Sequence, residues 1–236
     1  MNRMNGGVGS RNDTSQTSDF PLAIQPKPLR CGGRDPKAGE SVIRVTGGAF
    51  RGRNLRVPAE GVRPTPSMVR QALFSILGGL WADGFEGRTM LDLFAGSGVM
   101  AVEALGRGLD TAVCVEKASP VFSVLRGNVD DLGLAERARC LNLDANKFLA
   151  NDNTEAYDLI YMDPPYALTD LRDAVLLTAG ARSRLTPDGV LLLEQDVRHN
   201  PPPAVGCLTQ FMTRRWGQTQ VSFYHVAENS RLSRIV

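Results

Sequence analysis

The sequence predicts an α/β fold with a mostly parallel sheet and helices on both faces. Two observations carry the prediction. From Arg88 onward, short apolar runs alternate with stretches of helical periodicity, the pattern of consecutive βαβ units. The singular residues of that stretch, Asp92, Glu116, Asp144 and Asp163, each fall at the end of an apolar run. In such sheets ligands bind beyond the carboxyl ends of the strands, so one pocket should gather all four. The length, 236 residues, suits one large domain with a small appendage.

Residues 1–40 are rich in Gly, Ser, Asn, Thr and Pro and show no periodicity; a disordered tail is expected there. Residues 42–46 and 53–57 are strand-like and flank Gly47-Gly48-Ala49-Phe50-Arg51-Gly52, which predicts a β-hairpin. Pro64 and Pro66 introduce a helix over 67–80, with Val69, Leu73, Ile76, Leu77 and Leu80 as its apolar stripe. Strands are then expected at 89–93, 111–115, 139–143, 158–162 and 190–194, with helices at 98–107, 120–132 and 168–181. Residues 207–215 and 220–226 read as a terminal antiparallel pair. The expected division is a tail over 1–40, a hairpin extension over 41–66 and a catalytic domain over 67–236.

Composition narrows the class. No run of about 18 apolar residues exists and no apolar leader opens the chain, so neither a membrane span nor a secretory signal is expected; the cytoplasm is the expected compartment. Cys31, Cys114, Cys140 and Cys207 lie far apart without a CxxC pair and read as buried thiols. With only His199 and His225 as histidines, no metal site is expected. The formal net charge of +2 excludes a histone-like polycation but is unevenly spread. Residues 30–70 carry 9 basic and 3 acidic groups, whereas residues 71–236 carry 15 and 20. Arg44, Arg51, Arg53, Arg56, Arg63 and Arg70 make up most of the basic excess. Phosphate contact is their functional reading, because guanidinium groups form a rigid donor fork; a solvated charged face is the alternative.

Three motifs carry chemistry. In Leu91-Asp92-Leu93-Phe94-Ala95-Gly96-Ser97-Gly98 a strand enters a glycine turn and a helix begins, which lets backbone N–H groups approach a ligand. Glu116 follows Gly96 by 20 residues, the position of an acid that binds ribose hydroxyls. The pattern reads as a nucleoside-cofactor site and by itself fits NAD or S-adenosylmethionine. Asp92 tilts the choice: a carboxylate before the turn suits a ligand with a cationic end and would repel a pyrophosphate, although a capping role is also open. Asp144-Ala145 can meet an adenine amino group or cap the following helix. In Asp163-Pro164-Pro165-Tyr166 two prolines fix the backbone, so a carboxylate and the Pro164 carbonyl can face one pocket as paired acceptors. Such a pair suits an exocyclic amine, whose lone pair it can direct at an electrophilic methyl, with Tyr166 as a stacking face.

These residues resemble the bacterial methyltransferases that modify a guanine N2 in 16S ribosomal RNA. The matching pieces are Arg44-Val45-Thr46-Gly47-Gly48, Arg51-Gly52-Arg53-Asn54-Leu55, Arg63-Pro64-Thr65, Val69-Arg70-Gln71-Ala72-Leu73-Phe74, the glycine motif with Glu103-Ala104-Leu105, Asp163-Pro164-Pro165-Tyr166, and Gly217-Gln218-Thr219-Gln220-Val221-Ser222-Phe223-Tyr224. Ser67, Met68 and Ser75 depart from the family pattern. The resemblance implies a Rossmann-like S-adenosylmethionine-dependent methyltransferase fold: a mostly parallel seven-stranded sheet with an antiparallel C-terminal strand and a small N-terminal hairpin. It implies S-adenosylmethionine as donor and 16S RNA, or the small-subunit particle, as substrate of a monomeric enzyme. It makes Asp92, Phe94, Ala95, Gly96 and Gly98 cofactor contacts, with Glu116 on the ribose and Asp144 and Ala145 on the adenine. Asp163 to Tyr166 would hold the target guanine.

Rival readings leave residues idle. A DNA adenine N6 or protein glutamine amide acceptor would keep the chemistry, but no stretch is long enough for an added DNA-recognition domain. An NAD-dependent oxidoreductase would not use Asp163-Pro164-Pro165-Tyr166. A non-catalytic RNA-binding protein would not use the strand-end acids.

Overall fold

The computed structural model describes residues 41–57, 65–151, 155–164 and 184–226. Three expectations lie outside them: the tail over 1–40, the helix over 168–181, and the site residues Arg63, Pro165 and Tyr166.

The hairpin forms from β1 (Val42–Arg44) and β2 (Asn54–Arg56), paired antiparallel with Ile43 opposite Leu55. A 3-10 turn (Gly48–Phe50) joins them. The alternation is strict: Ile43, Val45 and Leu55 are buried, whereas Arg44 and Asn54 face solvent. Gly48 has φ +68°, and a Cβ there would lie 2.2 Å from the Gly106 carbonyl group. Only glycine lets the turn lie this close on the end of the helix behind it.

Helix α1 (Ser67–Leu80) covers one sheet face with Val69, Leu73, Phe74 and Leu77. Its last turn is tied to the sheet by Trp81, whose Nε1 donates to the Asp188 carbonyl at 3.3 Å. The core alternation follows as β3 (Thr89–Asp92), α2 (Val99–Gly106), β4 (Thr111–Val115), α3 (Ser119–Asp131), β5 (Ala138–Leu141), α4 (Ala145–Ala150), β6 (Tyr157–Met162) and β7 (Leu185–Asp196). The chain then folds into β8 (Ala204–Val205), β9 (Leu208–Trp216) and β10 (Thr219–Val226). The sheet order is β5-β4-β3-β6-β7-β10-β9-β8, parallel from β5 to β7 and antiparallel beyond. The seven expected strands are all present, and the two-residue β8 adds an eighth at the edge. Two apolar layers fill the sheet faces. One includes Leu73, Met90, Val99, Leu125, Tyr161 and Leu192, the other Leu91, Phe148, Ile160 and Leu193. Cys114 and Cys140 are free thiols opposite each other on β4 and β5; Cys114 is buried as expected and Cys140 only half-buried.

A buried ionic knot fastens the hairpin to this sheet. The Glu103 carboxylate on α2 accepts from the Thr46 N–H at 2.7 Å, the Thr46 hydroxyl at 2.7 Å and Arg70 Nε at 3.2 Å, and it also pairs with Arg107. Arg70 has 0% exposure. Its remaining N–H groups donate to the Thr65 carbonyl and, at 2.7 Å, to the Arg44 carbonyl. The expectation that Arg70 contacts RNA is therefore corrected: its guanidinium is used up inside the protein. The reason is its place on α1, beside Val69 and one turn before Leu73 and Phe74, on the face that packs inward.

Burial pushes the Glu103 carboxyl up, but the Thr46 amide, Arg107 and the Thr46 hydroxyl outweigh it and hold it below the usual 4.5. Its contribution to stability is thus present above that value and lost as pH falls through the lower folded one. Arg70→Met removes the charge and keeps most of the volume, leaving Glu103 under-compensated. It should cost about 3–5 kcal/mol in denaturant unfolding at pH 7.

Candidate active site

The parallel register brings the strand-end acids to one edge. Asp92 closes β3 and pairs with Cys114 of β4 on one side and Tyr161 of β6 on the other. Glu116 immediately follows β4, Asp144 lies just beyond β5, and Asp163 immediately follows β6. Neighbouring strands lie about 4.8 Å apart, and Asp92 stands level with Tyr161, two residues before Asp163, so both acids lie at the same end of the sheet.

Asp92 has 1% exposure, and its Oδ1 has no hydrogen-bond partner among the described residues. Burial, joined by the nearby Glu116 charge and opposed by the Phe94 amide, pushes its carboxyl up to about 7. The glycine turn begins two residues later. Gly96 and Gly98 have φ +54° and +81°, and the Gly98 N–H donates to the Ala95 carbonyl at 2.7 Å. Gly98 opens α2 against α3, where a Cβ would lie 2.5 Å from Leu125 Cδ1, so its glycine serves packing as well as the turn. Phe94 is half-buried and Ala95 buried beside it.

The other two acids are already engaged by backbone. Glu116 accepts from the Gly96 N–H at 3.1 Å and the Ala118 N–H at 2.8 Å, which pins the glycine turn to the end of β4. Each carboxylate oxygen keeps acceptor capacity for a hydroxyl. Asp144 caps α4, accepting from Asn146 N–H at 3.0 Å, and pairs with Lys117 Nζ at 3.0 Å. The Lys117 ammonium, against some burial, holds the Asp144 carboxyl below its usual range. The capping alternative for Asp144 is thus realised, and Ala145 lies buried at the first turn of α4.

Past β6, Asp163 is half-buried and Pro164 buried. Beneath them is a polar group that motif reading missed. Tyr161 donates to Glu194 Oε2 at 2.5 Å, and the Thr65 hydroxyl lies 2.9 Å from the Tyr161 oxygen and 3.1 Å from Glu194 Oε2. Burial and the Glu194 and Asp163 charges push the Tyr161 hydroxyl well above its usual range. The available signal was Glu194 itself, an acid at the end of the apolar run over 190–193.

The arginines separate into two groups. Arg44 and Arg51 are exposed and Arg53 half-buried, none with an ion pair among the described residues. Arg56 pairs with Asp131 at 2.7 Å and Arg70 is internal. The described residues contain no cluster of His, Cys, Asp or Glu able to hold a metal ion, and no helix among them is long and apolar enough to cross a membrane.

Comparison with known proteins gives a consistent picture. Residues 43–225 match the family model described as Conserved hypothetical protein 95. The Ribosomal RNA small subunit methyltransferase D of Escherichia coli K12 is 34% identical over 166 residues, 70% of this chain and 80% of that protein. YlbH of Bacillus subtilis is 31% identical over 185 residues, 77% of this chain and 98% of that one. A solved structure of a hypothetical protein from Thermus thermophilus superposes with a TM-score of 0.66 at 32% identity, covering 78% of this chain and 100% of that one.

The buried Asp92 gives a pH signature. Because its folded value is raised from 3.8 to about 7, folding binds a proton. Its contribution is full at low pH and is lost as pH rises from about 4 to about 7. Asp92→Asn mimics the protonated form. Denaturant unfolding should find the variant as stable as wild type near pH 4 and more stable at pH 8.

Proposed function

We propose that this chain, which belongs to the Conserved hypothetical protein 95 family of ribosomal RNA methyltransferases, transfers a methyl group from S-adenosylmethionine to the exocyclic N2 amine of a guanine in 16S ribosomal RNA. One observation carries the reading. Neighbouring strands β3 and β6, in register at Asp92 and Tyr161, end in a buried carboxylate with one oxygen unpartnered among the described residues, beside a glycine turn, and in Asp163-Pro164. A cofactor-holding acid and an amine-holding acceptor pair thus share one sheet edge.

The residues present fit the donor. The unpaired Asp92 Oδ1 suits the ammonium of its methionine end, and a pyrophosphate would meet repulsion at the same point. Phe94, Ala95, Gly96 and Gly98 would line its passage, Glu116 would take the ribose, and Asp144 with Ala145 the adenine. S-adenosylmethionine, when bound, supplies an electrophilic methyl on a sulfonium. The chain positions the acceptor: the Asp163 carboxylate and Pro164 carbonyl take the two N–H bonds of the target amine. This leaves the nitrogen lone pair directed outward, and the Asp163 charge stabilises the positive charge that develops on nitrogen. Pro165 and Tyr166 complete that motif in this reading. Arg44, Arg51 and Arg53, with Arg63 after them, supply phosphate contacts, while the paired Arg56 contributes little free charge. The proposed enzyme works as a cytoplasmic monomer on the RNA or on the small-subunit particle.

Tritiated methyl transfer to naked 16S RNA and to small-subunit particles, followed by nucleoside analysis, tests acceptor, base and atom together; N2-methylguanosine is the expected product. Asp163→Ala should abolish transfer while cofactor affinity, read by calorimetry, stays within a few-fold. Asp92→Asn should weaken cofactor binding by about tenfold or more, the loss of one charge-assisted contact. Arg51→Glu combined with Arg53→Glu should weaken RNA binding and flatten its salt dependence by about one contact per residue.

A further inference from the structure

The buried trio of Thr65, Tyr161 and Glu194 has no role in the methyl transfer outlined above. Its members come from three parts of the chain: the entry to α1, the end of β6 just before Asp163, and the interior of β7. Their exposures are 4%, 2% and 3%, so each polar group is withdrawn from water. A buried carboxylate with two hydroxyls stabilises a core no better than apolar side chains of the same volume. What such a group supplies is a fixed geometry. Tyr161 donates to Glu194 Oε2, and Thr65 can donate to that same Oε2 or to the Tyr161 oxygen, so the three groups fix one another's orientation.

Two further contacts give the trio its location. Tyr161 is the penultimate residue of β6 and Asp163 immediately follows that strand, close enough for its charge to act on the Tyr161 hydroxyl, so the position of Tyr161 sets where Asp163 leaves the sheet. The Thr65 carbonyl is held from the other side by Arg70, which also holds the Arg44 carbonyl of the hairpin. One chain of hydrogen bonds therefore runs from the hairpin, through the residue that enters α1, to the strand that presents Asp163 and Pro164.

We propose that Glu194, Tyr161 and Thr65 are positioning residues for methyl transfer, holding the Asp163-Pro164 acceptors in register, through Arg70, with the hairpin that carries Arg44, Arg51 and Arg53. The inference rests on the functional reading above. It predicts an effect on the turnover step, because loss of the register misplaces the amine without removing an RNA or cofactor contact. A misplacement of about 1 Å suffices for a 10-fold to 100-fold loss of rate.

The test is steady-state methylation of 16S RNA by Tyr161→Phe, Glu194→Gln, Thr65→Val, Thr65→Ser and the double variant Tyr161→Phe with Glu194→Gln. Calorimetric binding of S-adenosylhomocysteine and thermal melting are measured on each. Tyr161→Phe and Thr65→Val should lower kcat about tenfold or more, with KM for RNA and cofactor affinity within about two-fold of wild type. Thr65→Ser, which keeps the hydroxyl, should retain near wild-type kcat. The double variant should fall no further than its worse single member, as expected of residues acting through one chain. An active wild type with equally active Phe and Val variants would overturn the inference and leave the methyltransferase reading standing. So would a kcat loss accounted for by the unfolded fraction. A wild-type chain that methylates no RNA would overturn the functional reading, and the inference with it.

Discussion

Glu103 sits where three pieces of the chain meet, and most of the architecture depends on its charge being compensated. It lies inside α2 with no exposure, one helix behind the glycine turn. A lone carboxylate at that depth would be strongly unfavourable, so its partners are obligatory. Thr46 brings the hairpin, Arg70 brings α1, and Arg107 closes the end of α2 while lying 4.4 Å over the Phe74 ring. The same requirement that neutralises the acid therefore sets where the hairpin and α1 lie relative to the cofactor turn.

The charge pattern takes on a different meaning in this light. The basic segment over 30–70 looks like a uniform docking face, but its arginines face in different directions. Arg70 is an interior counter-ion, Arg56 neutralises Asp131 on α3, and free positive charge concentrates at Arg44, Arg51 and Arg53 around the hairpin. The strand-end acids differ in the same way. Glu116 and Asp144 are satisfied by backbone N–H groups and shape their loops, whereas Asp92 keeps an unpaired oxygen. A carboxylate left in that state is destabilising for the fold and suited to a cationic ligand, the usual trade between stability and function at a binding site.

Much of this was legible from local signals. Strand period, glycine turns and the Asp163-Pro164 motif are contiguous, and each points to its own place in a βαβ series. The helix over Ser67–Leu80 was readable to the residue from its prolines and apolar spacing. Partners distant in sequence were not readable. Arg70 looks like any surface arginine until Glu103, 33 residues on, is known to face it. Glu194 was hidden in an apolar run, and its partner Thr65 lies 129 residues away. The start of β7, five residues before the expected 190, was hidden for another reason: Pro187 and Gly189 interrupt the apolar run. The strand does lose register there, pairing Leu185 with Tyr157 and then Val190 with Leu159.

Asn128 on α3 has a consequence for how the hairpin can vary. Its Oδ1 accepts from the Arg56 N–H at 3.0 Å, and its Nδ2 donates to the Arg56 and Ser97 carbonyls at 2.9 Å each. The side-chain amide thus does for the outer edge of β2 what one more strand would do, closing an edge that could otherwise pair with another chain. A hairpin of two three-residue strands is too small to hold itself together, so it is ordered by what it leans on. Length changes between Thr46 and Asn54 are restricted as well, because Gly48 lies against the Gly106 carbonyl and Phe50 is buried in the core. A one-residue slip would turn Ile43 and Leu55 outward and pull Arg56 away from Asn128. The extension is therefore fixed both at its base and along its inward-facing turn, and it can vary in the exposed side chains at Arg44 and Arg51.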